Sequence, residues 1–350
     1  MKAALRITLL LFTSLLPWQA VYGQAAFPEP NWGRALAVET AQSIDSDSVL
    51  KTLYQSARTG DKGQVLDALI AVEQNNDWPV PAREYIIWSF AIGLSDMDMN
   101  TVSPEVLDYL STYEHRTLVA HDDRDSVGVP LFNISVAAAG ARNSWARQQG
   151  RSRAEILFQN DPALWINAYL EAGPAERRGF IGALDFASGQ QLDALARSAI
   201  ERLAGQPGLT AVAGKSALIL GDRNLLQHTL DLGSGPDLHH ILKAASKSLN
   251  ANENRVLLFH VIRHGPNTKA GLAIAQLAPS LLDDLAVREK MFEILESRDL
   301  GSSAALVLGS STEPAIHARL NTIAAGKEGL ASQRASLAIG AGHQGRKTGR

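Results

Sequence analysis

The chain has 350 residues and a nearly balanced charge, with 33 lysine and arginine residues against 36 acidic ones and a formal net charge of −3. This mildly acidic balance, without a dense basic stretch, argues against nucleic acid as a partner. Cysteine is absent, so disulfides, a thiol nucleophile and a lipid-modified cysteine are excluded. A chain of this length can be stabilised by its apolar core alone.

The first residues have the order of a secretory signal peptide. Lys2 and Arg6 precede an apolar run at residues 7–16, and small residues follow near Gly23. The run is too short to span a bilayer comfortably, so we expect residues 1–23 to be a signal peptide cleaved near Gly23. The alternative is an uncleaved membrane anchor. No later segment predicts a transmembrane helix, and an exported chain without cysteine best fits a periplasmic or secreted protein.

The rest of the chain is predicted to be helical. Residues 24–45 contain two prolines and no regular period, which predicts an extended lead-in. Residues 46–174 predict an irregular helical region, in which residues 114–128 lose the period and collect charge, as a long polar loop does. Further on, Ser188 and Gln191 form a capping-box pattern. Helices of about 10–15 residues joined by short turns predict an all-α fold.

Short segments rich in small apolar residues recur towards the C-terminus. They are Ser216–Gly221, Lys243–Leu249, Ala270–Ala275, Ser302–Gly309 and Ala335–Gly340. Repetition at roughly 30 residues is typical of helical repeat arrays. Aromatic residues become rare in the same part of the chain, where only Phe259 and Phe292 occur after residue 190. We therefore expect these helices to approach closely and to pack through alanine, leucine and glycine.

The segment Ser303–Gly309, followed by the turn at 313–316, resembles HEAT-like repeats of the short, roughly 30-residue kind. Ser216–Gly221 is followed by a turn of similar order. The resemblance covers residues 175–340. It implies a right-handed α-solenoid, or helical-hairpin array, that binds other macromolecules, and it brings no catalytic residues. Residues 341–350, rich in glycine and basic residues, predict a disordered basic tail.

The polar segment at 114–128 and its flanks hold the first candidate site. Histidine, carboxylate and arginine side chains in one aperiodic segment can ligate a metal or transfer protons. The candidate catalytic residues, as base, acid and charge neutraliser, are Tyr113, His115, Arg116, His121 and Asn133. The candidate metal ligands here are His115, His121 and Asp122. The alternative is a solvated loop whose charged residues pair with one another.

A second candidate metal site consists of His260 and His264, which lie one helical turn apart, as zinc ligands on helices do. Val261 stands where a zinc protease requires glutamate, so the protease interpretation is excluded. The alternative is a buried, hydrogen-bonded His260 and a His264 that stabilises the C-terminus of its helix.

Asp96, Asp98 and Asn100 have the opening spacing of a calcium-binding loop. Thr101 and Leu107 stand where that loop requires glycine and glutamate, so an ordinary acidic connection is predicted. The sequence also has no glycine-rich phosphate loop and no serine-elbow pattern, and we predict no cofactor.

These features predict an exported helical-repeat scaffold that binds a protein or cell-envelope partner. No complete catalytic motif is present, which makes an enzyme the less favoured interpretation. The alternative is a helical-array enzyme that acts on a polysaccharide or other envelope substrate through residues 113–133. A metal-carrying protein that uses the histidine and aspartate residues is the third hypothesis.

Overall fold

The computed structural model describes residues 28–59, 62–99, 102–277, 279–326 and 328–348. Within these ranges the chain forms 18 α-helices and one two-stranded antiparallel sheet, which confirms the predicted all-α class. The predicted signal peptide, residues 1–23, lies outside the described residues. The chain divides into two compact units, which we call the N-terminal and C-terminal units, between Ala141 and Arg142.

The N-terminal unit consists of helices and a β-hairpin. Its elements are α1 (Arg34–Ala41), α2 (Ser46–Thr59), α3 (Lys62–Gln74), α4 (Val80–Gly93), α5 (Pro104–Ser111), β1 (Leu118–His121) and β2 (Arg124–Pro130). The next helix, α6 (Ile134–Leu157), contains the division between the units.

Helix α1 corrects the prediction that residues 24–45 are an extended lead-in. The two prolines of this segment precede the helix and therefore do not interrupt it. Ala37 and Ala41, one helical turn apart, are both buried, and α1 contacts α4. Burial of this small-residue face stabilises a helix whose sequence has only a weak apolar period.

The C-terminal unit contains the remaining helices. They are α7 (Pro162–Glu171), α8 (Pro174–Ala183), α9 (Gly189–Arg202), α10 (Thr210–Leu220), α11 (Arg223–Leu232), α12 (Pro236–Ser248), α13 (Ala251–His264), α14 (Asn267–Ala275), α15 (Leu285–Ile294), α16 (Gly301–Ser310), α17 (Pro314–Ala324) and α18 (Leu330–Thr348). The capping box at the start of α9 is confirmed: Ser188 Oγ accepts from the Gln191 N–H at 3.3 Å, and Gln191 Oε1 accepts from the Ser188 N–H at 2.8 Å.

The aromatic residues of α7 and α8 belong to the C-terminal unit. Trp165, Tyr169 and Phe180 share one buried cluster with Leu192 and Val212, on the two helices that begin after residue 188. The Trp165 ring lies 5.8 Å from the Tyr169 ring and 5.1 Å from the Phe180 ring, measured between centroids. The change in composition therefore falls within one compact unit. The boundary expected between the irregular region (46–174) and the repeats (175–340) lies inside this unit.

Helices of the C-terminal unit contact their second neighbours as well as their sequence neighbours. Helices α8, α10, α12, α14, α16 and α18 contact one another in that order, and we call them the even series. Helices α7, α9, α11 and α13 form a second series of the same kind. Each helix of these two series therefore packs on more than one neighbour, which suits short helices that carry small residues.

Glycine permits the closest of these contacts. A Cβ atom at Gly179 of α8 would lie 2.0 Å from the carbonyl oxygen of Arg147 on α6, and one at Gly150 of α6 would lie 2.1 Å from that of Glu176. These distances are far below van der Waals contact. The backbones of α6 and α8 therefore touch at a point where no side chain fits.

Basic side chains satisfy the backbone carbonyls at the C-terminal ends of earlier helices. The last four carbonyls of an α-helix have no partner within the helix, and the partial negative charge there attracts cations. The pairs are Arg83 Nη1 to Glu73 O (2.6 Å), Arg177 Nε to Tyr169 O (3.0 Å), Lys215 Nζ to Ile181 O (2.9 Å), Lys269 Nζ to Leu230 O (2.9 Å) and Arg334 Nη1 to Leu295 O (2.7 Å).

The C-terminal end of the chain differs from the prediction. Residues 341–350 were predicted to be a disordered tail, but α18 continues to Thr348. The segment contains no proline. Each glycine lowers helix stability by only about 1 kcal/mol relative to alanine, which weakens a helix without ending it.

Replacing Gly179 with alanine should destabilise the protein, because the added methyl group overlaps the α6 backbone. Overpacking of this kind costs about 1–3 kcal/mol. Gly182, one turn further along α8, is the matched control, since a Cβ atom there meets nothing within 4 Å. Gly182→Ala should be neutral or stabilise by up to about 1 kcal/mol, because alanine favours the helix.

Urea unfolding of both variants, followed by circular dichroism, measures the difference. Equal changes in the free energy of unfolding for the two variants would contradict a tight backbone contact at Gly179.

Candidate functional site

The segment predicted to be a polar loop, residues 114–128, contains most of the β-hairpin instead. β1 and β2 are antiparallel, with Val119 opposite Val129, and the register shifts next to His121. The loop prediction was wrong because only a few β-branched residues, which favour strands, stand among many charged ones. The charged residues gather at the exposed turn, whereas Val119 is buried.

A buried glutamate anchors the hairpin to α4. Glu84 is 1% exposed. Its Oε1 accepts from the Arg116 N–H at 2.6 Å, and its Oε2 accepts from the Thr117 N–H at 3.0 Å. Two backbone donors satisfy the carboxylate, and the carboxylate satisfies donors that precede β1 and have no strand partner. Glu84 thus has a structural task that local sequence patterns do not indicate.

Glu73 on α3 joins the candidate residue Arg116 to α5. Its Oε1 lies 2.8 Å from Arg116 Nη2, and its Oε2 accepts from the Tyr109 hydroxyl at 2.6 Å. Burial, together with the bond to Glu73, raises the pKa of Tyr109. Arg116 therefore ties the hairpin to two helices through a single carboxylate.

Tyr113, His115 and Asn133 also make internal contacts. His115 Nε2 accepts from the Ile134 N–H at 3.0 Å, and Asn133 Oδ1 accepts from the Val136 N–H at 3.0 Å, so both residues cap the start of α6. Burial lowers the pKa of His115 and, as the larger of several effects, raises that of Tyr113. At neutral pH the imidazole is an acceptor without charge, and the phenol keeps its proton.

His121 and Asp122 lie at the hairpin turn. His121 Nδ1 accepts from the Asp123 N–H at 3.1 Å. Asp122 Oδ1 lies 2.9 Å from Arg34 Nη2, and both of these side chains are exposed. An exposed pair of this kind contributes at most about 1 kcal/mol to stability. The first contact stabilises the hairpin turn, and the second joins the turn to the start of α1.

The histidine pair on α13 is engaged with α11. His260 Nε2 lies 2.9 Å from Asp231 Oδ1, and the rings of His260 and His264 are 4.9 Å apart. Within the described residues, no three side chains of the metal-ligating types converge on one point. The candidate ligands His115, His121, Asp122, His260 and His264 are therefore not gathered into such a site. Asn100 and Thr101 lie outside the described residues.

A groove in the C-terminal unit is the feature that sequence reasoning missed. It has a volume of about 900 Å³, is open to solvent and has a mainly apolar lining. One face of each of three even-series helices forms its walls. The wall residues are Pro174, Arg177, Arg178 and Ile181 on α8, Ala211, Lys215, Leu218 and Ile219 on α10, and Pro236, Asp237, His240, Ile241, Ala244 and Ser248 on α12. We call this surface the even-series groove.

The basic residues of the even-series groove differ in their hydrogen-bond and ion-pair partners. Lys215 Nζ lies 2.8 Å from Asp185 Oδ2 in addition to its bond with the Ile181 carbonyl. Arg177 is bonded to the carbonyls at the end of α7. Within the described part of the chain Arg178 has no hydrogen-bond or ion-pair partner, and its side chain is exposed.

Spacing alone does not reveal this groove. Positions 174, 177, 178 and 181 share one helix face, but the same spacing describes the stripe by which an ordinary helix packs on a core. Only the alignment of three such faces, together with the exposure of Ile219 (43%), distinguishes this open groove from a packing surface. Ligand sites are concave and mostly apolar with a few polar groups, as this surface is.

Comparison with known proteins gives no family assignment. No protein-family model matches the sequence, and no significantly similar curated protein or solved structure is found. Among the described helices, none combines the length and apolar character that crossing a membrane requires.

The cap formed by His115 should make stability depend on pH. Because burial holds its folded-state pKa below the ordinary value of 6.5, the unfolded chain takes up the proton first. The stabilisation is therefore complete above the unfolded pKa and is lost as pH falls through 6.5 towards the folded pKa. Relative to wild type, His115→Gln should lose less stability between pH 7 and 5, since the amide oxygen accepts without titrating.

Thermal and urea unfolding at several pH values test this. Asn133→Ala, which removes the non-titrating side-chain cap of the same helix, is the control: it should lower stability at every pH and retain the wild-type pH dependence. An identical pH dependence for His115→Gln and wild type would contradict the assignment.

Proposed function

We propose that this protein is an exported helical-repeat scaffold that binds a protein or cell-envelope partner through the even-series groove. One observation carries the proposal: three helices expose matching faces, and the surface between them is apolar and open. Monomeric proteins rarely leave connected apolar surface exposed unless it takes part in binding. Leu218 and Leu220 pack against the core, whereas Ile219 between them is 43% exposed.

The contacts among the helices support a HEAT-like α-solenoid, which we propose to be right-handed as the resemblance implies. Repeat arrays stack each helix on the equivalent helix of the next repeat, and second-neighbour contacts of this type link the even series. The recurring segments Ser216–Gly221, Lys243–Leu249, Ala270–Ala275, Ser302–Gly309 and Ala335–Gly340 fall on α10, α12, α14, α16 and α18, the last five helices of that series. Sequence repetition and helix position therefore agree.

Small residues in these segments, and at Gly214 just before the first of them, are consistent with stacking. A Cβ atom at Gly309 of α16 would lie 2.5 Å from the carbonyl oxygen of Ala338 on α18, and one at Gly214 of α10 would lie 2.6 Å from Ile241 on α12. Glycine at such points lets neighbouring helices of one series approach more closely than any larger residue does. A repeat array needs this property at equivalent positions.

Photo-cross-linking in the cells that produce the protein tests the binding function. A photoreactive phenylalanine analogue at position 219 should give discrete, light-dependent adducts, because Ile219 lies in the groove. The same analogue at position 256 is the control, since Val256 on α13 is 57% exposed and lies outside the groove. The absence of adducts specific to position 219 would refute the proposal.

Export is tested separately by the N-terminus of the mature protein. Cleavage near Gly23 predicts that peptide sequencing of the periplasmic or secreted fraction finds a start within a few residues of this position. Recovery of the chain from the membrane fraction with its first residues intact would instead favour the N-terminal anchor.

A further inference from the structure

Resting on the proposed function, we infer that the even-series groove receives an amphipathic α-helix of a partner protein, with acidic residues beside its apolar stripe. The walls themselves carry this inference. Each wall places a basic residue one helical turn before an apolar one: Arg177 before Ile181 on α8, Lys215 before Ile219 on α10, and His240 before Ala244 on α12. Residues four apart lie on the same face of a helix.

Two of the walls run side by side in the same direction. At their beginnings, Thr210 Oγ1 of α10 accepts from the N–H of Ser234, which precedes α12, at 3.2 Å. One turn further, Gly214 faces Ile241. Parallel walls bring Lys215 and His240 into one basic band and Ile219 and Ala244 into a neighbouring apolar band.

The two bands match the surface of an amphipathic helix lying across the walls. They are separated by four residues, about 6 Å along each wall helix. Neighbouring helix axes lie about 8–10 Å apart, so three walls span about 20 Å. A partner helix of about 13 residues covers that distance. It places its apolar stripe over Ile181, Ile219 and Ala244 and its acidic flank over the basic band.

The open form of the groove favours a helix over a single acyl chain. An acyl chain lying in an open groove leaves much of its apolar surface in water, at about 25 cal/mol for each Å². An amphipathic helix supplies its own polar outer face and buries only its apolar stripe. A mainly apolar lining that opens to solvent is therefore better matched by a peptide.

The net charge of the groove indicates the charge of the partner. At this surface the bases Arg177, Arg178 and Lys215 outnumber the acids Asp185 and Asp237 by one. The whole chain is net negative, and the groove thus has the opposite sign. Arg178, exposed and unpartnered within the described residues, is the cation best placed to meet a carboxylate.

A displayed library of 16-residue helical peptides, selected on the mature full-length protein, tests the inference. Peptides that also bind the Ile219→Asp variant are removed, so the remaining ones depend on the groove. They should share apolar residues at helical spacing with Asp or Glu beside the stripe. A labelled representative, measured by fluorescence anisotropy, should bind about tenfold more weakly to Arg178→Glu, and more salt should weaken its binding to wild type.

Matched variants separate local charge from general effects. Lys243 lies on α12 outside the groove and is exposed, so Lys243→Glu should change peptide affinity by less than about twofold. Arg178→Lys keeps the positive charge and should retain most of the affinity. Circular dichroism of each variant verifies that the helical fold is kept.

Several outcomes would overturn the inference. They are the absence of groove-dependent peptides, selected peptides with basic flanks or without helical spacing, and an equal loss of affinity in Arg178→Glu and Lys243→Glu. Ile219-dependent binding of phosphatidylglycerol vesicles in place of peptides would make the partner a lipid. If cross-linking from position 219 persists in any of these cases, only the partner class is wrong and the proposed binding function stands.

Discussion

Short helices leave many backbone carbonyls without a partner, because the last four of every α-helix are unpaired within the helix. This chain satisfies several of them with a cation from a later helix. Lys215, Lys269 and Arg334 reach back 34, 39 and 39 residues to such carbonyls. These separations are close to the length of one helical pair. Each bond therefore connects a pair to an earlier one and places a positive charge where the helix dipole favours it.

The same bonds hold two walls of the even-series groove in place for the partner proposed above. Arg177 and Lys215 lie in its walls with their cationic groups already bonded to carbonyls. A side chain that is fixed before binding loses less entropy when a partner arrives. Arg178 differs, since it has no such bond among the described residues and its N–H donors remain available to an outside group. Two neighbouring residues of α8 thus differ in role: Arg177 holds the stack together, and Arg178 is available for the proposed recognition.

Local signals were sufficient to predict much of the fold. The capping box of Ser188 was read directly from the sequence and is present in the structure, because both of its partners lie within four residues. The all-helical class followed from the short periodic segments and their breaks. The recurring small-residue segments also mark real helices, since close packing requires small residues wherever backbones touch, as at Gly309.

Long-range partners explain what the sequence did not reveal. The hairpin depends on Glu84, whose backbone partners are 32 and 33 residues away, so residues 114–128 resembled a loop. Helix α1 depends on burial against α4, which no local pattern indicates. The groove depends on three helices presenting their faces together, and its stripe of Arg177, Arg178 and Ile181 has the same spacing as a packing face.

Hydrogen bonds within the fold show which polar side chains already have a structural role and which remain available to another molecule. Backbone N–H groups already occupy several acceptors in and beside the 113–133 region. These acceptors are both oxygens of Glu84 on α4, the Nε2 of His115 and the Oδ1 of Asn133. A residue whose acceptor is occupied in this way holds the fold, and replacing it changes stability before it changes any reaction. Arg178 and Ile219 differ, because one has no internal partner among the described residues and the other exposes much of an apolar side chain. The proposed recognition of another molecule gives both residues a role that the fold does not give them.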